Sequence, residues 1–317
     1  MIPLPHNEET ISTFAISSSL GHYGEGILPF TLLSDYRVMR QAALETKTTM
    51  FGKSMTPEGK IGFVKHPDLR RPWTIIQWIY TARKYVKSFP DGGKLNAYGL
   101  TNDGPDKISK RAAKYFRKGY KVILNIFPEF ADKPLDVAID NVIRAIEICG
   151  DNIGWEYFTT LEQSYSCPNS VKENIACNMR DSLACAEALR KRFPWLNMIA
   201  KTSIVHPYEY LQEMQKHVDV LHFLNTVPFA IAFPGKASRI PVAGGGGYSG
   251  PAAEEMVFNY NKEARKKLYL PVVMGNSVRN ADHVQRYLDI GADSVSSCAM
   301  AIDNSAETEK IIYRFNG

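Results

Sequence analysis

The chain has no apolar run approaching the roughly 18 to 20 residues that a bilayer-spanning helix requires, so no membrane partner is expected. Its first ten residues, MIPLPHNEET, carry two acids and lack a basic-then-apolar pattern, which speaks against a signal peptide. Cysteine is scarce: five residues, Cys149, Cys167, Cys177, Cys185 and Cys298, none in a C-x-x-C pair. An odd, scattered set argues against a disulfide framework or a structural zinc site and fits a reducing compartment, so the cytoplasm is the expected location. No metal is expected either, because His217 and His222 stand five apart with no carboxylate motif framing them. Linkers, repeats and low-complexity tracts are missing, so residues 1–317 read as a single domain. Charge of one sign is not in great excess. The net charge is +5, and the basic stretches 65–71 and 107–121 read first as a loop and a solvated helix face, second as attraction to an anionic small molecule or RNA.

What is present is alternation. Short apolar runs suited to strands fall at 27–33, 47–52, 94–100, 120–127, 155–161, 197–203, 218–225, 271–275 and 293–299. Between most of them lie amphipathic stretches with apolar spacing of about 3.6, among them SDYRVMRQAALET, PDKISKRAAKYFRKG, KPLDVAIDNVIRAIEIC and NADHVQRYLDIG. Several open on Ser, Asp or Asn and close near Lys, Arg or Gly, as helix caps require. Repeated strand–helix alternation implies a parallel sheet. With about eight such units, an α/β fold closed into a (β/α)8 TIM barrel is the expected architecture. An open doubly wound sheet would want a Gly-rich turn after an early strand, and none is present. The segment 13–27, with hairpin-like alternation around glycine, is expected to plug the barrel bottom.

In such barrels the chemistry gathers at the C-terminal strand ends. There the sequence puts Lys53-Ser54, Asn96 with Tyr98-Gly99-Leu100, Ser164 with Cys167 and Asn169, Lys201, Asn225-Thr226, a glycine-rich loop at 243–252, and Gly275-Asn276-Ser277. A lysine pointing into a barrel top is costly unless it meets an anion or an electron-rich ring. Asparagine amides offer a donor and an acceptor side by side, which suits a planar ring with amide or imide edges. Singly, each residue reads as structural; converging on one mouth, they read as a site. Cys149, Cys177, Cys185 and Cys298 read as packed or rim thiols, and Trp73, Trp78 and Trp155 as packing.

Taken in order, GKSMTPE (52–58), LNAYGLTN (95–102), SYSCPN (164–169), AKTS (200–203), LNT (224–226), GGYSGPA (246–252) and the late GNSV and IGADSV resemble the dihydroorotate dehydrogenase family, FMN-dependent (β/α)8 barrels. The resemblance runs from about residue 28 to 300, and cysteine rather than serine at position 167 is similar to the soluble class 1 members. It implies FMN as cofactor and dihydroorotate, or a similar cyclic amide, as substrate. Cys167 would take a proton from C5 of the substrate while hydride passes from C6 to flavin N5. The resemblance also implies Lys201 beside the N1/O2 edge of the flavin and Lys53 between flavin and substrate carboxylate. Asn96, Asn169 and Asn225 would hold the pyrimidine amide edges, with Ser164 and Thr226 beside them. The backbone of Tyr98-Gly99-Leu100 would meet the carboxylate. Ser34, Ser54, Ser249-Gly250, Gly275-Asn276-Ser277 and Cys298-Ala299 would complete the flavin site. A homodimer is a further implication. The acceptor in such relatives is fumarate in some and a partner subunit in others.

The chain departs from the family pattern in four places. Ser164 stands where the family has asparagine. Leu33-Ser34-Asp35 brings a carboxylate to the expected end of the first strand, where the family has small residues. Asn276-Ser277 replace glycine in the phosphate turn, and Cys298-Ala299 stand at the last phosphate contact. Dehydrogenation or reduction of another cyclic amide or pyrimidine is therefore the main alternative. A tRNA-dihydrouridine synthase would share the barrel and the cysteine, but it lacks a GGYSGPA loop and carries a later-strand histidine element absent here. A catalytically silent ligand-binding barrel is opposed by the joint presence of Lys53, Asn96, Cys167, Asn169, Lys201 and Asn225.

Overall fold

In the computed structural model, which describes residues 1–18, 34–68, 71–131, 133–166, 175–223 and 225–317, eight short strands bond edge to edge in chain order and close on themselves. They are β1 (Phe14–Ile16), β2 (Met50–Met55), β3 (Val122–Ile126), β4 (Thr160–Ser164), β5 (Asn197–Lys201), β6 (Val220–Phe223), β7 (Val272–Gly275) and β8 (Ser294–Ser297). All pairings are parallel, and β1 seals the barrel: Ile16 pairs with Ser297 of β8 and with Met50 of β2. A helix follows every strand. These are Ser34–Glu45, Pro105–Arg117, Leu135–Ile153, Ile175–Arg192, Tyr208–Met214, Glu254–Arg265, Ala281–Asp289 and Ser305–Asn316. The expected (β/α)8 barrel is the observed one.

Local chemistry explains the helices. Pro105 opens one without losing a needed N–H. Asn280 caps another by accepting from the His283 N–H at 2.9 Å. In Pro105–Arg117 the apolar spacing buries Ile108, Ala112 and Ala113, while Lys107, Lys110, Arg111 and Lys114 face solvent. The basic stretch 107–121 is thus largely a solvated helix face, tied by Lys110–Asp106 and Arg111–Asp103 ion pairs.

Three strand expectations are corrected. The first barrel strand is Phe14–Ile16, whereas 27–33 lies outside the described residues. The run 155–161 begins as a turn and enters β4 only at Thr160, because Trp155 packs against Phe158, Phe193 and Trp195 instead of joining the sheet. The run 94–100 is not a barrel strand. Lys94–Asn96 belongs to a separate antiparallel sheet with Val86–Ser88, Gly247–Ser249 and Val227–Pro228, built from the excursions after β2 and β6.

The barrel bottom is closed by residues 2–11; of the segment 13–27 expected there, Phe14–Ile16 forms β1 and 19–27 lies outside the described residues. A hairpin pairs Ile2 with Ile11. Ile2, Leu4 and Ile11 pack with Ala15, Phe51, Ile123, Ile199, Val220 and Val273, the inward residues of six strands, in one dry cluster. Ile11→Ala leaves a cavity there and is expected to lower unfolding stability by about 2–5 kcal/mol in urea titration, without changing ligand affinity at the opposite end. A loss well under 1 kcal/mol would mean that the plug is dispensable to the core.

Candidate active site

Above the plug the inward positions turn polar. The alternation of β4 puts Thr160, Glu162 and Ser164 on one face, and that of β6 puts Val220 and His222 on another. Glu162 is buried completely, with one carboxylate oxygen on His222 Nδ1 and the other on Asn125 Nδ2. Lys201 Nζ lies 3.9 Å from the same carboxylate and donates to Ser18 Oγ at 3.0 Å. His222 Nε2 meets Ser296 Oγ at 2.8 Å, and its ring tilts over Phe51 with centroids 4.6 Å apart. Burial alone would raise the Glu162 pKa, but the Lys201 charge and His222 hold it below the ordinary carboxylate range. Burial lowers that of His222 despite the facing carboxylate. A neutral imidazole with its proton on Nδ1 satisfies both contacts, donating to Glu162 and accepting from Ser296. The layer therefore holds one carboxylate and one ammonium, in balance.

A cavity of about 260 Å³ opens above this layer, and a second of about 70 Å³ shares Ser18, Asn225, Thr226, Ser249, Cys298 and Ala299 with it. The larger one takes in Lys53, Ser54, Asn96, Tyr98, Leu100 and Ser164. The smaller one takes in Lys201, Asn276 and Ser277. Most of the residues singled out in the sequence thus converge on one mouth. Cys167 and Asn169 lie outside the described residues, although the chain reaches them from Ser166, a wall residue of the larger cavity. Ser34 opens the helix Ser34–Glu45 rather than ending a strand. The strand-end place expected for it belongs to Ser17 and Ser18, which follow β1 and line the cavity walls. Asp35 is consequently the second residue of that helix, not the end of the first strand.

Lys53 and Lys201 differ sharply. The register between β2 and β3 shifts between Phe51 and Ser54, a bulge of the kind that re-aims side chains beside active sites. Lys53 Nζ is buried without a hydrogen-bond partner, and it sits 3.2 Å from the centroid of the Tyr98 ring. Burial lowers its pKa to about 8, with slight opposition from Cys298. Burial pushes the Tyr98 phenol up to about 12, so that ring stays neutral. The Cys298 thiol is raised by burial and eased down by the two lysines.

Backbone strain gathers in the same place. Ser18, Lys47, Leu100, Asn276 and Ser277 are the described non-glycine residues with left-handed φ, and all but Lys47 line the cavities. Such residues cost about 1–3 kcal/mol each and cluster at ligand sites. Asn276 and Ser277, at φ +70° and +57°, hold the turn that glycine would make more cheaply. Side chains anchor it: Asn276 Nδ2 donates to Asn225 O at 2.9 Å, and Ser277 Oγ to Gly250 O at 2.9 Å. Gly275 is required by close approach, since a Cβ there would sit 2.5 Å from Ser296 Oγ. Gly99 at φ +72° and Leu100 make a tight turn below Tyr98. Asn225 is partly committed: Nδ2 donates to Ser166 O, and Oδ1 accepts from Thr226 N at 2.8 Å. It clamps the chain where it leaves for Cys167.

Sequence reasoning passed over Glu162, His222, Asn125, Ser296 and Ser18. The first two had a signal. His222 interrupts the apolar strand VLHF two positions after inward-facing Val220, and Glu162 stands midway between Thr160 and Ser164 on one face of β4. Lys94 was also missed; it lines the larger cavity and pairs with Asp303 at 2.9 Å.

No protein-family model matches the chain. It is similar to the catalytic subunit of dihydroorotate dehydrogenase B (NAD(+)) of Staphylococcus carnosus, 26% identical over 228 residues, 70% of either chain. The subunit of the same name from Desulforamulus reducens is 28% identical over 228 residues, 69% of this chain and 70% of that one. Among solved structures, DHODH from Eimeria tenella in complex with ferulenol superposes with a TM-score of 0.61, covering 95% of this chain and 79% of that one at 12% identity; it shares the fold. The resemblance read from the motifs is borne out by these relatives.

The unfolded chain holds the Lys53 proton up to about pH 10.5, whereas the folded chain releases it near pH 8. Stability of the ligand-free protein must therefore rise with pH between those values. Lys53→Met is expected to remove that rise and to stabilise the ligand-free fold at neutral pH by on the order of 3 kcal/mol, read by urea unfolding across pH. An unchanged slope would show that the ammonium is solvated.

Proposed function

We propose that this chain is a flavin-dependent oxidoreductase of the dihydroorotate dehydrogenase type, oxidising dihydroorotate or a closely related cyclic amide. The observation that carries the reading is the unpartnered Lys53 ammonium, buried in the wall of a cavity that also presents Asn96 and the committed Asn225. A buried cation without a counterion calls for an anionic ligand, and a substrate carboxylate supplies one. The donors suit a flavin as well. Lys201, Ser18, Ser54, Ser249 and the left-handed turn at Asn276-Ser277 line adjoining walls, with Cys298 and Ala299 closing the end. FMN held by these residues would supply the hydride acceptor.

The chain's own residues then divide the work. Lys201, whose Nζ lies 3.9 Å from the Glu162 carboxylate, would support negative charge on a bound flavin, a term of a few kcal/mol in a water-poor site. Lys53 binds the carboxylate, assisted by the turn Tyr98-Gly99-Leu100. Asn96, Asn169 and Asn225 orient the amide edges. Cys167 is the base in this reading and removes the proton from substrate carbon, on a chain whose entry Asn225 clamps. The two relatives are catalytic subunits of the NAD(+) type, which favours electron delivery towards NAD(+) over direct reduction of fumarate.

A second reading is favoured by Ser164. Its hydroxyl lines the cavity where the family carries an amide. One hydroxyl cannot present a donor and an acceptor on fixed atoms as an amide does, and sites built on such edges discriminate strongly. A cyclic amide lacking one polar edge would fit this wall better than dihydroorotate.

A visible spectrum of the purified protein, before and after anaerobic addition of dihydroorotate, separates these readings. A flavin spectrum that bleaches supports the first. A flavin that stays oxidised, but bleaches with another dihydropyrimidine, supports the second. Failure to take up added FMN overturns both. In the active protein, Cys167→Ser is expected to slow flavin reduction roughly a hundredfold or more in stopped flow, with FMN affinity unchanged. A normal rate would remove the thiol from the reaction.

A further inference from the structure

The helix Trp73–Tyr85 has no buried residue although its sequence, WTIIQWIYTARKY, is mostly apolar. Positions 73, 76, 77, 79, 80, 83 and 84 are exposed, and the helical period gathers them on one face. Trp73 is 60% exposed, Ile76 71%, Ile79 42% and Tyr80 68%. The helix is nonetheless seated. On its other side Trp78 hydrogen-bonds with Tyr98, Tyr85 stacks on Phe63 at 5.2 Å, and Thr81 Oγ1 accepts from Lys65 N at 3.2 Å. Its last residue leads straight into Val86, in the wall of the larger cavity.

The charge on this face has one sign. The helix contains no acid, Arg83 and Lys84 end the exposed face, and Arg71 stands just before its start, with Asp68 at 3.9 Å as a weak partner. Exposed Trp, Tyr and Ile bounded by Arg and Lys are the composition of a helix lying in a lipid interface. There the apolar side chains enter the acyl boundary while the cationic ends reach anionic headgroups. A second copy of this chain fits poorly. A helix of this length is about 20 Å long and about 10 Å wide, so the face offers about 200 Å² where a stable dimer buries about 800 Å² per partner. Two-fold pairing would also set cationic ends against each other with no acid in either helix.

We propose that the exposed face of Trp73–Tyr85 docks on an anionic lipid surface. Among the described residues no helix is long and apolar enough to cross a membrane. Lying on one requires only an amphipathic face, so the expectation of no membrane partner, drawn from run length, does not extend to it. The inference stands apart from the flavin reading.

Co-sedimentation of the full chain with vesicles tests it. Binding is expected to phosphatidylcholine vesicles containing phosphatidylglycerol, weaker binding to phosphatidylcholine alone, and release by added salt. The combined change Trp73→Ser, Ile76→Ser and Tyr80→Ser should weaken binding at least roughly tenfold with an unaltered circular dichroism spectrum. Arg83→Gln with Lys84→Gln should erase the preference for phosphatidylglycerol. Absence of wild-type binding, or a triple variant that binds as the wild type does, overturns the proposal. So does a wild type that ignores vesicles and sediments as a dimer that the triple variant splits, since the face would then be a contact between proteins.

Discussion

A carboxylate at the centre of the barrel is the constraint on which the rest depends. Glu162 has no solvent, and a lone buried charge would be prohibitive. Its compensation comes from four other strands or their ends: Asn125 on β3, Lys201 on β5, His222 on β6 and, through the imidazole, Ser296 on β8. Closing the barrel and neutralising the carboxylate are thus one event. Removing one partner of such a buried set leaves an uncompensated charge, which costs about 3–5 kcal/mol. The layer also divides the interior. Below it lie the hairpin plug and an apolar cluster; above it lie the two cavities with their polar lining.

The two buried lysines show what that division achieves. Lys201 is completed by the fold itself, through Glu162 and Ser18. Lys53 is not; it faces a neutral ring, and burial holds its pKa near 8. A cation–π contact offsets only part of such desolvation. One ammonium is therefore balanced inside the fold, while the other is buried without a hydrogen-bond partner. A carboxylate beside Lys53 would relieve that penalty.

Much of this was legible in the sequence. Strand–helix alternation led to the barrel, and the inward lysines and asparagines led to its mouth, because side-chain period and strand ends are local properties. What failed was long-range. Phe14–Ile16 is three residues long and earns its place only through pairing with β8, nearly the whole chain away. Lys94–Asn96 has the apolar look of a barrel strand, but its partners come from the excursion after β6. Ser34 stands at a strand end only if 27–33 is the first barrel strand, whereas that strand is Phe14–Ile16. Once β1 is placed, Ser17 and Ser18 supply the small residues there, and Asp35 belongs to the helix that follows.

The departure at Asn276-Ser277 resolves differently. Glycine is useful in a phosphate turn because it reaches φ above zero at no steric cost, not because it touches the ligand. Here the same conformation is held by Asn276 on the Asn225 carbonyl and by Ser277 on Gly250. Those bonds tie the turn to the β6 end and to the glycine-rich loop, the two segments that carry Asn225 and Ser249 into the cavity. A glycine pair would leave the turn to be ordered on binding. The Asn-Ser pair orders it beforehand, at the expense of strain, and couples it to the residues that clamp the chain ahead of Cys167. In physical terms the turn reaches φ above zero without glycine, with its support moved from conformational freedom to hydrogen bonds.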